Sequence, residues 1–406
     1  MNPSPYRRPV LFLAFALAMA GFALAQFGPM ASLRVDTSRA TVPLREIISG
    51  GPPPNGIPPL GFTPDFDRQG LRDIPLPPVV TVERASGWLG DNEPVMVVEL
   101  GGEARAYPIQ ILTWHEIAND TLGGVPIAVT FCPLCNTALV FDRRLDLSGE
   151  VLQRARERNP RLAGSRGPIT TTFGVSGLLY KSDLVMFDAA THTLWAQVLG
   201  GGIVGTLTGA VLERVPTQMI SFADFAEAFP NGTVLSRDTG FSRDYGRNPY
   251  VGYDQPGQSP FLFREAVDRR LPAMERVVAL TIGGVDLAFP FRALAEAKVV
   301  NESEGGVPFV IFWAAGTVSA LDQSRIAASR DVGATGVFDR RVAGRVLTFE
   351  PTETGFRDLE TRSTWNLLGR ATTGTLAGTQ LERLEHGNHF WFAWAAFKPD
   401  VRIWTP

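Results

Sequence analysis

One stretch of this chain is written twice. Residues 95–112 read VMVVELGGEARAYPIQIL, and residues 277–294 read VVALTIGGVDLAFPFRAL. Each reads as a strand, a Gly-Gly turn, a second strand and a proline that opens a helix. The correspondence continues in register. Gly123-Gly124-Val125-Pro126 matches Gly305-Gly306-Val307-Pro308, and Thr193-Leu194-Trp195 matches Ser363-Thr364-Trp365. Leu212-Glu213-Arg214 matches Leu381-Glu382-Arg383, and amphipathic runs at residues 221–230 and 389–399 close the two copies. A repeat of this kind implies two like units in place of one large core.

The expected fold class is mainly β (α+β): two tandem duplicated β-rich modules, each with a short helix near its start and one at its end. The 41 glycines and 31 prolines favour many short strands joined by tight turns. The first module is expected over residues 81–237 and the second over 275–406. The connection at 238–274 is irregular, with a turn-rich polar segment at 243–250. Residues 146–168, rich in Arg and Glu, read as an exposed excursion of the first copy. Residues 26–80 form a Pro/Gly-rich leader. Its stretch at 50–59 excludes helix and central strand, because proline lacks the donor and fixes φ. The leader is expected to run extended over the surface or to act as a tether.

Residues 1–25 read as a signal peptide. Arg7 and Arg8 precede an unbroken apolar run at 10–25, and Ala23-Leu24-Ala25 forms a small-x-small cleavage site that leaves Gln26 as the new terminus. The run is shorter than the roughly 20 residues a spanning helix prefers, so cleavage is favoured over a retained anchor. The expected location is therefore exported, periplasmic or extracellular, with no membrane span after cleavage. Cysteines in such a compartment are free to pair. The formal charge of −3 and the lack of Lys/Arg clusters exclude a nucleic-acid stripe. The partner is an unknown small molecule or protein.

Chemistry concentrates at Phe131-Cys132-Pro133-Leu134-Cys135-Asn136, which holds the chain's 2 cysteines. Strand-like sequence flanks the motif on both sides, so it sits in a turn. A redox Cys-x-x-Cys instead places its first thiol at a helix N-terminus, whose dipole stabilises the thiolate. A turn with this spacing is the knuckle geometry of metal sites, and soft thiolates select Cu(I) or Zn(II). The expected metal set is His115, Cys132 and Cys135. A helix expected at 109–120 and a returning strand at 125–131 bring His115 towards the thiols. A structural disulfide and a redox pair remain open alternatives. Tyr180 and Asp183, in the polar run 176–183, and Gln197 are candidate catalytic or substrate-wall residues. His192 is a second candidate ligand, read more readily as a solvated loop residue. His386 and His389 have metal-like spacing but are read as the polar start of the last helix. The copies differ at the reactive positions: Cys132 faces Ala314, Cys135 faces Thr317 and His115 faces Ala297.

Several motifs occur in order: Ala106-Tyr107-Pro108, Trp114-His115-Glu116-Ile117-Ala118-Asn119-Asp120, Phe131-Cys132-Pro133-Leu134-Cys135-Asn136-Thr137, Phe173-Gly174-Val175-Ser176-Gly177-Leu178-Leu179-Tyr180, Ser182-Asp183-Leu184-Val185-Met186-Phe187-Asp188 and Thr193-Leu194-Trp195-Ala196-Gln197. In these the chain resembles the bacterial and archaeal family catalogued as domain of unknown function 3179, over at least residues 73–238. The resemblance carries no established reaction. It implies that Trp-His-Glu, Cys-Pro-Leu-Cys and Ser-Gly-Leu-Leu-Tyr are signature positions, and that His192 lies outside the pattern. The functional expectation is an exported protein of unestablished reaction that binds a soft metal, copper or zinc, in its first module. Its alternatives are a thiol–disulfide oxidoreductase using Cys132 and Cys135, or a non-enzymatic binding protein with a structural disulfide.

Overall fold

The computed structural model describes residues 30, 32–63, 75–145, 147–162 and 168–406. The signal peptide expected over residues 1–25, with its expected cleavage site, lies outside the described residues. The chain is mainly β and is divided among several sheets.

The first long run begins with the antiparallel strands Pro94–Leu100 and Glu103–Pro108, joined at Gly101-Gly102. Helix Ile109–His115 follows, then the antiparallel strands Ile117–Leu122, Val125–Cys132 and Thr137–Asp142. A second hairpin, Phe173–Tyr180 with Asp183–Asp188, continues through Leu194–Ala196 and Gly201–Val204 in one sheet. Strand Thr217–Ser221 returns to pair with Pro94–Leu100. Helix Phe222–Ala228 is capped by the Ser221 side chain, which accepts the Asp224 N–H. Strand Thr233–Leu235 then pairs parallel with Glu103–Pro108.

From residue 276 the same order of elements recurs. Strands Arg276–Ile282 and Val285–Pro290 lead to helix Phe291–Ala297 and strands Val299–Glu304, Val307–Ala314 and Ala334–Asp339. A short hairpin, Phe349–Pro351 with Phe356–Asp358, continues through Thr364–Trp365 and Ala371–Thr373. Strand Gly387–Phe390, helix Trp391–Phe397 and strand Arg402–Ile403 close the chain, the last again pairing parallel.

The glycine turns explain why the repeat keeps its Gly-Gly pairs. Gly123 has φ 54°, and a Cβ placed there would lie 2.3 Å from the Leu100 carbonyl oxygen. Only a residue without Cβ lets the two turns abut. The two runs also share cores. Val95, Val97 and Ala106 pack in one cluster with Val310, Phe312 and Phe338. Phe131, Cys132 and Cys135 pack in another with Leu321, Phe390 and Phe392.

Three local expectations change. The helix expected at 109–120 stops at His115, because Glu116 takes φ 57° and breaks the helical path. The next residues, Ile117–Leu122, are strand. The leader does more than run over the surface: Ile47–Ser49 pairs as an edge strand with Phe173–Tyr180, with Ile47 and Ile48 buried. The excursion after residue 146 contains helix Gly149–Arg158, whose Ala155 is buried. Among the described residues, no helix is long and apolar enough to cross a membrane.

Candidate metal centre

The cysteine turn is tight. Cys132 pairs with Thr137 across the two strands, and Asn136 takes φ 52° to close the bend. No helix follows the turn, so no helix dipole bears on the sulfurs. Both cysteines are free thiols, with Cys132 2% and Cys135 0% exposed. The turn is held from outside by two hydrogen bonds to its carbonyls. The Phe390 N–H donates to the Cys135 carbonyl at 2.8 Å, and the Tyr253 hydroxyl donates to the Leu134 carbonyl at 3.0 Å.

The partner of the sulfurs comes from the second hairpin. Lys181 and Ser182 form its tip with φ 54° and 68°, and Asp183 is the first residue of the returning strand. This bend aims both the Ser182 carbonyl and the Asp183 carboxyl at the cysteines. The Cys135 thiol donates to the Ser182 carbonyl at 3.1 Å. One ligand atom from each of Cys132, Cys135 and Asp183 lies within 4.8 Å of the others. Asp183 is fully buried; its Oδ2 accepts the Val198 N–H at 2.9 Å, and its Oδ1 has no hydrogen-bond partner.

Electrostatics show what the cluster lacks. Burial raises the Asp183 pKa to about 7, offset in part by backbone N–H groups and the Cys135 thiol. Burial and the nearby Asp183 raise Glu116 to about 8. Burial and Cys132 push the Cys135 thiol well up as well. No basic side chain forms an ion pair with either carboxyl among the described residues. Two acids and two thiols therefore sit together in a low-dielectric site without a cation.

The other sequence candidates are distributed differently. His115 Nδ1 lies 2.6 Å from the Pro58 carbonyl and Nε2 lies 2.6 Å from the Tyr245 hydroxyl. Burial lowers its pKa to about 4, so the ring is neutral at ordinary pH. A carbonyl can only accept, so Nδ1 carries the proton and Nε2 accepts from Tyr245. The histidine thus fastens the leader to the connection, and the set that gathers at the sulfurs contains Asp183 where His115 was expected. Tyr180 packs edge-on against Phe397, with its pKa raised to about 12 by burial. Gln197 lies beside the cluster: its Nε2 donates to Thr130 Oγ1 at 2.7 Å and to the Thr137 carbonyl at 3.2 Å, and its Oε1 is buried without a partner. His192 contacts the Leu33 carbonyl and packs on Phe187, away from the thiols. His389 lies in a strand ahead of the last helix, bonded to Thr137 Oγ1 at 2.8 Å and stacked on Trp394. His386 contacts the Leu384 carbonyl.

Sequence reading missed Glu116 as a neighbour of Asp183, and Tyr250 and Tyr253 as cover. Burial raises the hydroxyl pKa of both tyrosines; Glu116 and Cys132 add to the shift at Tyr250, and Cys135 and Cys132 add to it at Tyr253. Glu116 had a signal, since it belongs to the Trp-His-Glu motif and faces Lys298 in the second run. The tyrosines had none, because they lie in a turn-rich connection.

No curated protein and no solved structure gives a significant match to this chain. A family model described as "Protein of unknown function (DUF3179)" matches residues 68–401, and the chain belongs to that family.

Proposed function

We propose that this is an exported metal-binding protein whose first run, residues 81–237, holds one zinc ion through Cys132, Cys135 and Asp183. The observation that carries this reading is the Asp183 carboxyl. It is fully buried, keeps one oxygen without a partner, and lies within 4.8 Å of two free sulfurs with no base to balance it. A divalent cation resolves that arrangement; a structural disulfide would leave the carboxyl as costly as before. The donor set also chooses between the expected metals. Two thiolates suit Cu(I) and Zn(II), but a carboxylate is a hard donor that favours zinc. His115 is left out because both its ring nitrogens are engaged elsewhere.

The reading includes the repeat and the leader. We take residues 275–406 as a duplicate of the first module that has lost the donors and serves as its structural partner. Residues 1–25 then direct export. The second reading, thiol–disulfide exchange, draws support from the two free thiols and the adjacent proton-accepting carboxyl. It is weaker because the Cys135 thiol is pushed up and the turn lacks a helix dipole.

The test is a zinc titration of the full chain, reduced and handled anaerobically. About one equivalent should bind, with release of thiol protons. Cys132→Ser and Cys135→Ser should each remove binding, and Asp183→Asn should weaken it by more than about tenfold. A reduced protein that takes up no zinc defeats the reading. A Cys132–Cys135 disulfide with a potential near −200 to −120 mV would then support the redox alternative.

A further inference from the structure

The cluster is closed by a segment that belongs to neither run. Between Thr233–Leu235 and Arg276–Ile282 the chain contains no helix or strand. Both flanks of this connection are fastened. On one side Asp254 is buried and bonds Arg276 at 2.6 Å and Arg330 at 2.9 Å, and the Gly252 N–H donates to the Asp322 carbonyl at 2.7 Å. On the other, the Asp268 carbonyl accepts the Trp391 indole N–H at 3.1 Å, and Arg270 Nη1 donates to the Val401 carbonyl at 2.8 Å. The stretch between them, residues 255–267, contains Pro256-Gly257-Gln258-Ser259-Pro260 and is mostly exposed.

Its attachment over the cluster is specific. The Phe261 N–H donates to the Tyr253 hydroxyl at 3.1 Å, and the Phe261 carbonyl accepts from the Ser182 hydroxyl at 2.6 Å. The same Tyr253 hydroxyl donates to the Leu134 carbonyl, between the two cysteines. Ser182 immediately precedes Asp183, and its carbonyl receives the Cys135 thiol. The backbone of one residue is therefore tied to both turns that supply donors, while the Phe261 side chain is 57% exposed. Leu262, Phe263 and Val267 add packing against the core, with Phe263 edge-on to Phe392, and Glu265 pairs with Lys181 at 3.7 Å. A segment with no helix or strand between two anchored flanks still opens locally at lower free energy than the whole fold.

We propose that residues 255–267 form the gate of the Cys132–Cys135–Asp183 cluster and that Tyr253 and Ser182 are its latch. The gate rests on the metal-site reading only for what passes through it. Opening at Phe261 uncovers the Leu134 and Ser182 turns together, giving an ion a route to sulfurs that are otherwise sealed. An ion needs no larger opening, so a small rotation between the anchored flanks suffices.

Thiol reactivity tests this without metal. The full chain, reduced and zinc-free, is mixed with an aromatic disulfide reagent that releases a coloured thiolate on exchange. The wild-type thiols should react at least about 100-fold more slowly than free cysteine, since burial restricts attack. Tyr253→Phe should react about tenfold faster than wild type or more, because it loses both latch bonds at once. Ser182→Ala should accelerate the reaction too. Asp358→Asn, in the second run and away from the flap, controls for general loosening and should react more slowly than Tyr253→Phe. Wild-type rates in both latch variants, or equal acceleration in Asp358→Asn, overturn the gate. Zinc added to the wild type separates the two ideas. Variants that react faster while zinc gives no protection uphold the gate and defeat the metal reading. Zinc protection with wild-type rates in both latch variants does the reverse.

Discussion

Residues 94–235 and 276–403 follow a similar order of strands and helices but carry different contents. In both, an aspartate at the end of a hairpin is buried and accepts the indole N–H of the following tryptophan: Asp188 from Trp195 at 3.0 Å, Asp358 from Trp365 at 2.9 Å. In both, an Arg two residues after a buried aspartate pairs back to it, Arg144 with Asp142 and Arg341 with Asp339. Even the strained residue that ends the first helix recurs, Glu116 at φ 57° and Lys298 at φ 60°. Among the differences are the segments that meet at the cysteine turn. From Phe173 to Asp188 the hairpin takes 16 residues and its tip delivers Asp183; from Phe349 to Asp358 it takes 10 and has no such tip. A four-residue bend joins Cys132 to Thr137 in the first run, where residues 315–333 intervene in the second. The scaffold thus forms without the cysteines, the aspartate or the glutamate. In the first run the two buried carboxyls, Asp183 and Glu116, sit without a basic partner, an arrangement that costs folding free energy.

The comparison can be broken most decisively through metal uptake. Cys132→Ala and Cys135→Ala should abolish zinc binding measured by competition with a chromogenic chelator. Next in size are the shared aspartates. Asp188→Ala and Asp358→Ala should each destabilise the protein by about 2–4 kcal/mol in urea titration, because each strands an indole and a backbone N–H. A large loss in one run and none in the other would show that the likeness of the scaffolds is superficial.

A smaller effect sharpens the electrostatic contrast. Folding raises Asp183 to about 7 and Glu116 to about 8, so the folded, metal-free protein holds protons the unfolded chain has already lost. The stability of that form should therefore fall as pH rises from about 6.5 to 8. The buried histidines work in the opposite sense at the low end of this window. His115, His386 and His389 have depressed folded values, so near pH 6.5 the unfolded chain holds histidine protons that the folded one lacks, which offsets part of the fall until about pH 7.5. Asp183→Asn should flatten the slope by about 1 kcal/mol over the window. An unchanged slope in urea titrations at the two pH values would remove the buried carboxyl from the account. Smallest of all is Thr317→Ala, at the position facing Cys135. It removes a buried hydroxyl that has no partner, so stability should move by less than about 0.5 kcal/mol and zinc uptake should not change.

Much of the scaffold was legible because it rests on local rules. The Gly-Gly turns are forced by backbone contact, and the strands around Cys132 and Cys135 follow their apolar runs. The helix boundary at His115 was not legible, since Glu116 adopts a left-handed conformation that its residue type disfavours. The site was half legible. The cysteine spacing is local, but Asp183 reaches it across 48 residues, through a hairpin tip whose direction only the packed sheets determine. His115 misled because spacing along the chain fixes where a ring sits but not which way it turns. Its nitrogens answer to Pro58 and Tyr245, from two segments with no periodic signal.

The central claim is that Cys132, Cys135 and Asp183 act as one donor set. Zinc K-edge X-ray absorption on the zinc-loaded full chain measures this directly. The account predicts two sulfur neighbours at about 2.3 Å and oxygen at about 2.0–2.2 Å, with the sulfur signal lost in Cys132→Ser plus Cys135→Ser. A zinc shell of nitrogen and oxygen alone would contradict it.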